Sequence, residues 1–191
     1  MKQQHKHSEF TLKTSEIDKI VYKAISFRDR CILKSLYWIG LRREELTLLD
    51  IQDIDFERKR VIIHGKGKKI RVVPIINNDL LSDLKYQIGN RGGGPVFSGP
   101  SGENLTPRAI NYVVSRAGER ASINNPNPAL KHINPHIFRH SIARHLKDKG
   151  FSAEWVQKFL GHSSFKTTMD MYGTLSLEQM QEEASRRLML E

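Results

Sequence analysis

Residue types suited to gripping an anion and attacking it gather late in this chain. His136-Ile137-Phe138-Arg139-His140 is followed by Leu160-Gly161-His162 and then by Tyr172. On a helix over 136–146, a step of about 100° per residue groups His136, Arg139 and His140 on one face, with Phe138, Ile142 and Leu146 opposite. The first face is basic and turns to a site; the second belongs in a core. Trp155, Val156, Phe159 and Leu160 recur at helical spacing and stop at Gly161, a residue suited to the left-handed position that ends a helix. His162 therefore falls just past a rigid helix end. Cleaving a phosphodiester without water needs a nucleophile, charge stabilisation on the non-bridging oxygens and a proton for the leaving oxygen. Tyrosine can keep the bond energy in a covalent ester. The planar arginine fork donates two hydrogen bonds to a phosphate and keeps its charge, and histidine or lysine can supply the proton. Taken singly, each histidine reads better as a core or surface residue.

The composition points to the same substrate. The chain has 191 residues, enough for one domain with a real core, and carries 31 Lys+Arg against 21 Asp+Glu, a formal charge of +10. A pI near 9.8 favours a polyanionic partner, with nucleic acid ahead of a membrane surface because the basic residues are spread along the chain. No apolar run approaches the roughly 18 residues that a bilayer requires, and the segment from Met1 to His7 lacks the apolar stretch of a signal peptide. The expectation is a soluble cytoplasmic, nucleoid-associated protein with no membrane contact. The lone Cys31 lies in an apolar-periodic run and reads as a small buried hydrophobe.

The elements that must position these residues follow from the patterning. Residues 1–13 are polar and aperiodic, a flexible arm or linker remnant. Ser15 can cap a helix burying Ile17, Ile20, Val21 and Ala24, and a second helix runs from about Phe27 to Gly40. Gly40-Leu41-Arg42-Arg43-Glu44-Glu45-Leu46 then hands over to a short helix, with Arg42 at the junction. The periodicity changes to extended over 54–56, 60–64 and 70–74, which predicts a small three-stranded antiparallel sheet, with Gly65-Lys66-Gly67-Lys68-Lys69 as the last turn. Lys66 at the tip can reach a phosphate; individually, each of Lys66, Lys68 and Lys69 also reads as part of a generic basic turn. Asn77 or Asn78 caps a helix with Leu80, Leu81, Leu84 and Ile88 inward, and the glycine-rich stretch 89–104 reads as a mobile connection. Thr106-Pro107 starts a helix burying Ile110, Val113, Val114 and Ala117. Its other side, bearing Arg108, Asn111 and Arg116, suits a DNA groove or plain solvent. An amphipathic helix over 175–190 either closes its own core or docks on a neighbour.

In order and spacing these motifs resemble the catalytic domain of tyrosine recombinases, the phage-integrase family. They are Gly40-Leu41-Arg42-x-x-Glu45-Leu46, Gly65-Lys66-Gly67 between strands, His136-x-x-Arg139-His140, Leu160-Gly161-His162, and Tyr172 within Thr167-Thr168-Met169-Asp170-Met171-Tyr172. Each motif is weak alone; together they span about 15–175. The resemblance implies a mainly α (α+β) fold with that small sheet, a catalytic domain over 14–174, and a C-terminal tail, 175–191, exchanged between protomers. It implies that Tyr172 attacks the scissile phosphate to give a 3′-phosphotyrosine and a free 5′-hydroxyl. Arg42 and Arg139 would hold the non-bridging oxygens, His162 would add a hydrogen bond, Lys66 would protonate the leaving oxygen, and His136 would assist proton transfer at the tyrosine. Glu45 and His140 would stand behind them, Glu45 orienting Arg42 or His136. Lys68, Lys69, Arg108, Asn111 and Arg116 would contact double-stranded DNA. No metal or other cofactor is implied, and self-association into a dimer or tetramer on DNA is, as in DNA recombination and the integration of mobile elements.

Two departures stand beside the match. Family members carry a separate N-terminal DNA-binding domain, so either an excised domain or a minimal protein is expected. The gap from His162 to Tyr172 is ten residues, one longer than in some members. Three rivals remain: a zinc site built on His136, His140 and His162, a DNA-binding module without catalysis, and type IB topoisomerase-like relaxation.

Overall fold

A computed structural model describes residues 10–65, 67 and 69–162 of the chain. Helix α2, Phe27–Trp38, is the hub. Its apolar residues surround the axis, so that Cys31, Ile32, Leu33, Leu36 and Tyr37 are all buried and neighbours can pack on most sides. Ser26 starts the helix by accepting a hydrogen bond from the Asp29 N–H at 3.1 Å. Around α2 pack α1 (Thr14–Tyr22), α3 (Arg43–Thr47), α4 (Asn78–Ile88), α5 (Pro107–Arg120) and α6 (Pro135–Asp148), while α7 (Ala153–Leu160) lies on α6. Asn77, Thr106, Asn134 and Ser152 cap α4, α5, α6 and α7, each accepting a hydrogen bond from a first-turn N–H. Cys31 is buried as expected, and burial pushes its thiol up to about 12, which leaves it without nucleophilic character.

The sheet is formed by β1 (Ile54–Asp55), β2 (Arg60–His64) and β3 (Ile70–Pro74), antiparallel in the order β1-β2-β3, with Val61 opposite Val73 and Ile63 opposite Arg71. Val61, Ile63 and Val73 face the core, while Ile70 and Val72 are exposed. Period-two alternation therefore puts Arg71 on the inner face with Val73.

The structure corrects several expectations. Helix α1 begins at Thr14, one residue before the expected cap. Glu16 does the capping, its Oε2 accepting from the Lys13 N–H at 2.7 Å, because a lysine side chain has no acceptor to offer. The arm expected over 1–13 is docked at its described end: Leu12 is 1% exposed, Phe10 packs against the core, and the Leu12 N–H donates to Ser141 Oγ on α6 at 2.9 Å. The stretch 89–104 is a pinned loop. Val96 and Phe97 are buried, the Ile51 and Val96 N–H groups pair with the carbonyls of Gly94 and Leu49, and Arg91 donates to the carbonyls of Gln87, Ile88, Pro95 and Val96. Glycine count suggested mobility, but the two apolar residues between the glycines need a core.

One joint sets up the site. Gly40, at φ +65°, ends α2 where the end of α7 lies on it, and a Cβ there would stand 2.5 Å from Leu160 Cδ2. Only glycine allows both the left-handed turn and that approach. The ends of α2 and α7 thus meet, and α3 leaves from the same point.

Candidate active site

Arg42 follows this joint. Buried Leu41 anchors the backbone, and Arg42 takes the cap position of α3, where Glu45 reaches back to accept its main-chain N–H at 2.8 Å. The same carboxylate accepts from Arg42 Nη1 at 2.8 Å, and Arg42 Nη2 leans toward the Gly161 carbonyl at 3.5 Å. Glu45 is 4% exposed, and a buried carboxylate needs more than one partner. The second is Arg71 on β3, whose Nη1 and Nη2 donate to Oε1 and Oε2 at 2.6 and 2.8 Å. Burial opposes the charge on Glu45, but the hydrogen bonds and charge of Arg71, the Arg42 N–H and Arg139 outweigh it and hold the carboxyl down at about 2.

Arg139 is 4% exposed. The helical period assigned it, with His136 and His140, to a basic face turned toward a site. Its side chain is sunk into the joint, where its Nη1 and Nη2 donate to the buried carbonyls of Gly40 and Leu160 at the ends of α2 and α7. Burial and the neighbouring Arg42 charge lower its pKa to about 9, so it remains a cation at neutral pH. Gly161 ends α7 in the left-handed conformation, φ 66° and ψ 48°, as the sequence indicated, and turns the chain so that His162 lies beside the arginines. Burial first, then Arg139, Arg42, His140 and Arg71, push the His162 imidazole down to about 3. It is a neutral hydrogen-bonding group, not a charge. His136, in the first turn of α6, is likewise held below its ordinary value by burial and by Arg139, Arg43 and Arg42, against the opposing pull of Glu44.

Arg42, Glu45, Arg71, Arg139, His140 and His162 thus come together, with His136 at the edge. A groove of about 780 Å³ opens in front of them, lined by Arg42, Glu45, Lys69, Arg71, Gly161 and His162 among others. Three guanidinium charges face one carboxylate, so two positive charges stay unbalanced, the arrangement suited to an anion that gains charge as it reacts. Lys66 and Lys68, expected at the hairpin tip, and Tyr172 with the whole of 175–191 lie outside the described residues. The hairpin base is placed: the Gly65 N–H donates to the Lys69 carbonyl at 2.7 Å, next to Glu45. Arg108 is exposed and Asn111 half-buried on α5, while Arg116 is paired with Glu119 at 2.7 Å. Among the described residues no three His, Cys, Asp or Glu side chains gather where they could hold a metal ion, so His136, His140 and His162 do not form the zinc cluster considered above. Arg71 was missed by the sequence reading. The available signal was an arginine at an inward strand position, which demands a buried anionic partner.

These shifts predict acid sensitivity. His162 binds its proton more weakly in the folded protein than in the unfolded chain, so its contribution is complete above its ordinary 6.5 and is lost as the pH falls toward about 3; that of Glu45 is complete above its ordinary 4.5 and is lost toward about 2. The thermal midpoint, followed by circular dichroism, should hold above about pH 7 and fall steadily below it. A midpoint that rises on acidification would contradict the assignment.

Comparison with known proteins agrees with this geometry. The model of the phage integrase family matches residues 11–178. The chain is 35% identical over 159 residues to the tyrosine recombinase XerC of Pelobacter propionicus, covering 81% of this chain and 50% of that one. It is 31% identical over 186 residues to the tyrosine recombinase XerA of Pyrococcus horikoshii, covering 95% and 62%. It thus spans between half and two thirds of the length of these relatives. Among solved structures, a crystal structure of XerA recombinase has the same fold, with a TM-score of 0.76, 23% identity and coverage of 95% of this chain and 66% of that one. XerH recombinase, in a post-cleavage complex with a palindromic difH substrate, matches with a TM-score of 0.76 and 25% identity over 97% of this chain and 55% of that one.

Proposed function

The chain belongs to the phage integrase family, and from that membership we propose that it is the catalytic domain of a site-specific DNA recombinase or integrase. The observation that carries the proposal is the meeting of Arg42, Glu45, Arg71 and neutral His162 on the wall of one groove, with Arg139 buried beside them. The substrate is a phosphodiester of double-stranded DNA. The Tyr172 oxygen attacks the scissile phosphorus; the new O–P bond forms as the bond to the 5′-oxygen breaks. The tyrosine proton leaves with the help of His136, and Lys66 gives a proton to the departing 5′-oxygen. Arg42 and Arg139 hold the non-bridging oxygens, and His162 donates an N–H to the same group. The two unbalanced positive charges match the extra charge of the pentacoordinate state.

The phosphotyrosine keeps the energy of the broken bond, so a 5′-hydroxyl from another strand can reverse the step with no cofactor. Lys68, Lys69, Arg108, Asn111 and Arg116 are the proposed backbone contacts, Arg116 after exchanging Glu119 for a phosphate. Strand exchange between duplexes calls for two or four copies on DNA, with residues 175–191 passing between protomers, in the cytoplasm at the nucleoid. Among the described residues no helix is long and apolar enough to cross a membrane.

The test is a library of nicked suicide duplexes with randomised cores, incubated with the protein and resolved on denaturing gels. A covalent adduct that forms equally well in chelator is expected. Binding without any adduct would leave a silent DNA-binding module, and relaxation of site-free supercoiled plasmid would indicate a topoisomerase.

A further inference from the structure

Glu45 offers two oxygens, and every direction around them is taken. Arg71 holds both from β3, while Arg42 supplies one guanidinium N–H to Oε1 and its main-chain N–H to Oε2. A carboxylate left alone with an arginine prefers the two-bonded fork. Here that fork belongs to Arg71, and Arg42 is limited to a single side-chain bond. Its guanidinium is therefore held to the carboxylate at one corner, with the other nitrogen leaning toward the Gly161 carbonyl at 3.5 Å, and stays on the wall of the groove. The Arg71 stem does something further. It runs under the turn that ends α7, so close that a Cβ on Gly161 would stand 2.6 Å from its Cδ, and its buried Nε has no acceptor among the described residues. One side chain thus touches the carboxylate that tethers Arg42 and the backbone that carries His162. It springs from the strand that closes the Lys66 hairpin, opposite Ile63.

We propose that Arg71 is a positioning residue of the phosphate grip: by occupying the fork of Glu45 it keeps the Arg42 guanidinium directed into the groove, and by supporting Gly161 it sets His162 beside it. This deepens the recombinase reading and rests on it for the reaction, though not for the geometry. Without Arg71, Glu45 swings to take Arg42 in a fork and pulls it from the groove. Lysine cannot replace Arg71, since a point cation cannot fill both oxygens.

The test compares wild type with Arg71→Gln, Arg71→Lys, Glu45→Gln and the Arg71→Gln/Glu45→Gln double variant. The substrate is the nicked duplex that wild type selects from the randomised library. At saturating DNA, Arg71→Gln and Arg71→Lys should each slow adduct formation about 30-fold with DNA affinity changed by less than about threefold, and the loss in the double variant should fall well short of the product of the Arg71→Gln and Glu45→Gln losses, exceeding that of Glu45→Gln only by the lost support of Gly161. Losses that multiply in the double variant, or full activity in Arg71→Lys, would overturn the proposal. Nitrogen-15 spectra of the Arg42 guanidinium in the DNA-free protein give a second reading. They should change in Arg71→Gln and move back toward wild type in the double variant, whereas an Arg42 signal indifferent to Arg71 would refute the tether. If wild type forms no adduct on any duplex, the recombinase reading fails, and these spectra still decide the role of Arg71.

Discussion

Arg139→Ala is expected to remove both the chemistry and part of the fold. The side chain is buried and donates to the Gly40 and Leu160 carbonyls, so truncation leaves two helix-end acceptors unpaired in a dry joint. Each costs on the order of 1–3 kcal/mol, partly offset by no longer burying a charge, which gives a net loss of about 3 kcal/mol in urea unfolding. Adduct formation should fall at least about 10³-fold, as when one preorganised donor to a developing charge is removed. Arg139→Met, which fills the volume without the charge, should recover some stability and none of the activity. Unchanged stability in Arg139→Ala would mean that those carbonyls do not depend on it.

Arg42→Ala should separate the two effects. Its side chain is 36% exposed, and Glu45 keeps both bonds from Arg71 when Arg42 is gone. The stability change should therefore stay within about 1 kcal/mol, while cleavage again falls about 10³-fold. DNA affinity should drop by no more than about threefold, since many other cations meet the backbone. If binding disappears as completely as cleavage, Arg42 is an affinity residue and the proposed grip is misassigned.

Local patterning made much of this legible. The change from helical to alternating periodicity placed all three strands at Ile54, Arg60 and Ile70, and Gly161 marked the end of α7, because these features depend on near neighbours in sequence. The burial of Arg139 did not follow from its helix. Its partners come from Gly40 and Leu160, 99 and 21 residues away, and no helical wheel contains them. Arg71 was hidden for the same reason: its strand was legible, but its anion, Glu45, belongs to another element. In the loop over 89–104 the glycines spoke louder than Val96 and Phe97, although burying those two residues fixes the loop. Lys66, Lys68 and Tyr172 lie outside the described residues, and their roles rest on motif order and on the site prepared for them.

That site makes sense only if a nucleophile arrives in front of it. The most direct measurement is the covalent adduct with nicked duplex DNA in wild type and in Tyr172→Phe, followed by mass spectrometry of the DNA-linked peptide. The expected result is a wild-type adduct joined through a 3′-phosphate to the peptide containing Tyr172, and none in Tyr172→Phe at any time or chelator concentration. An adduct that persists in Tyr172→Phe, or that maps to another residue, would contradict the account.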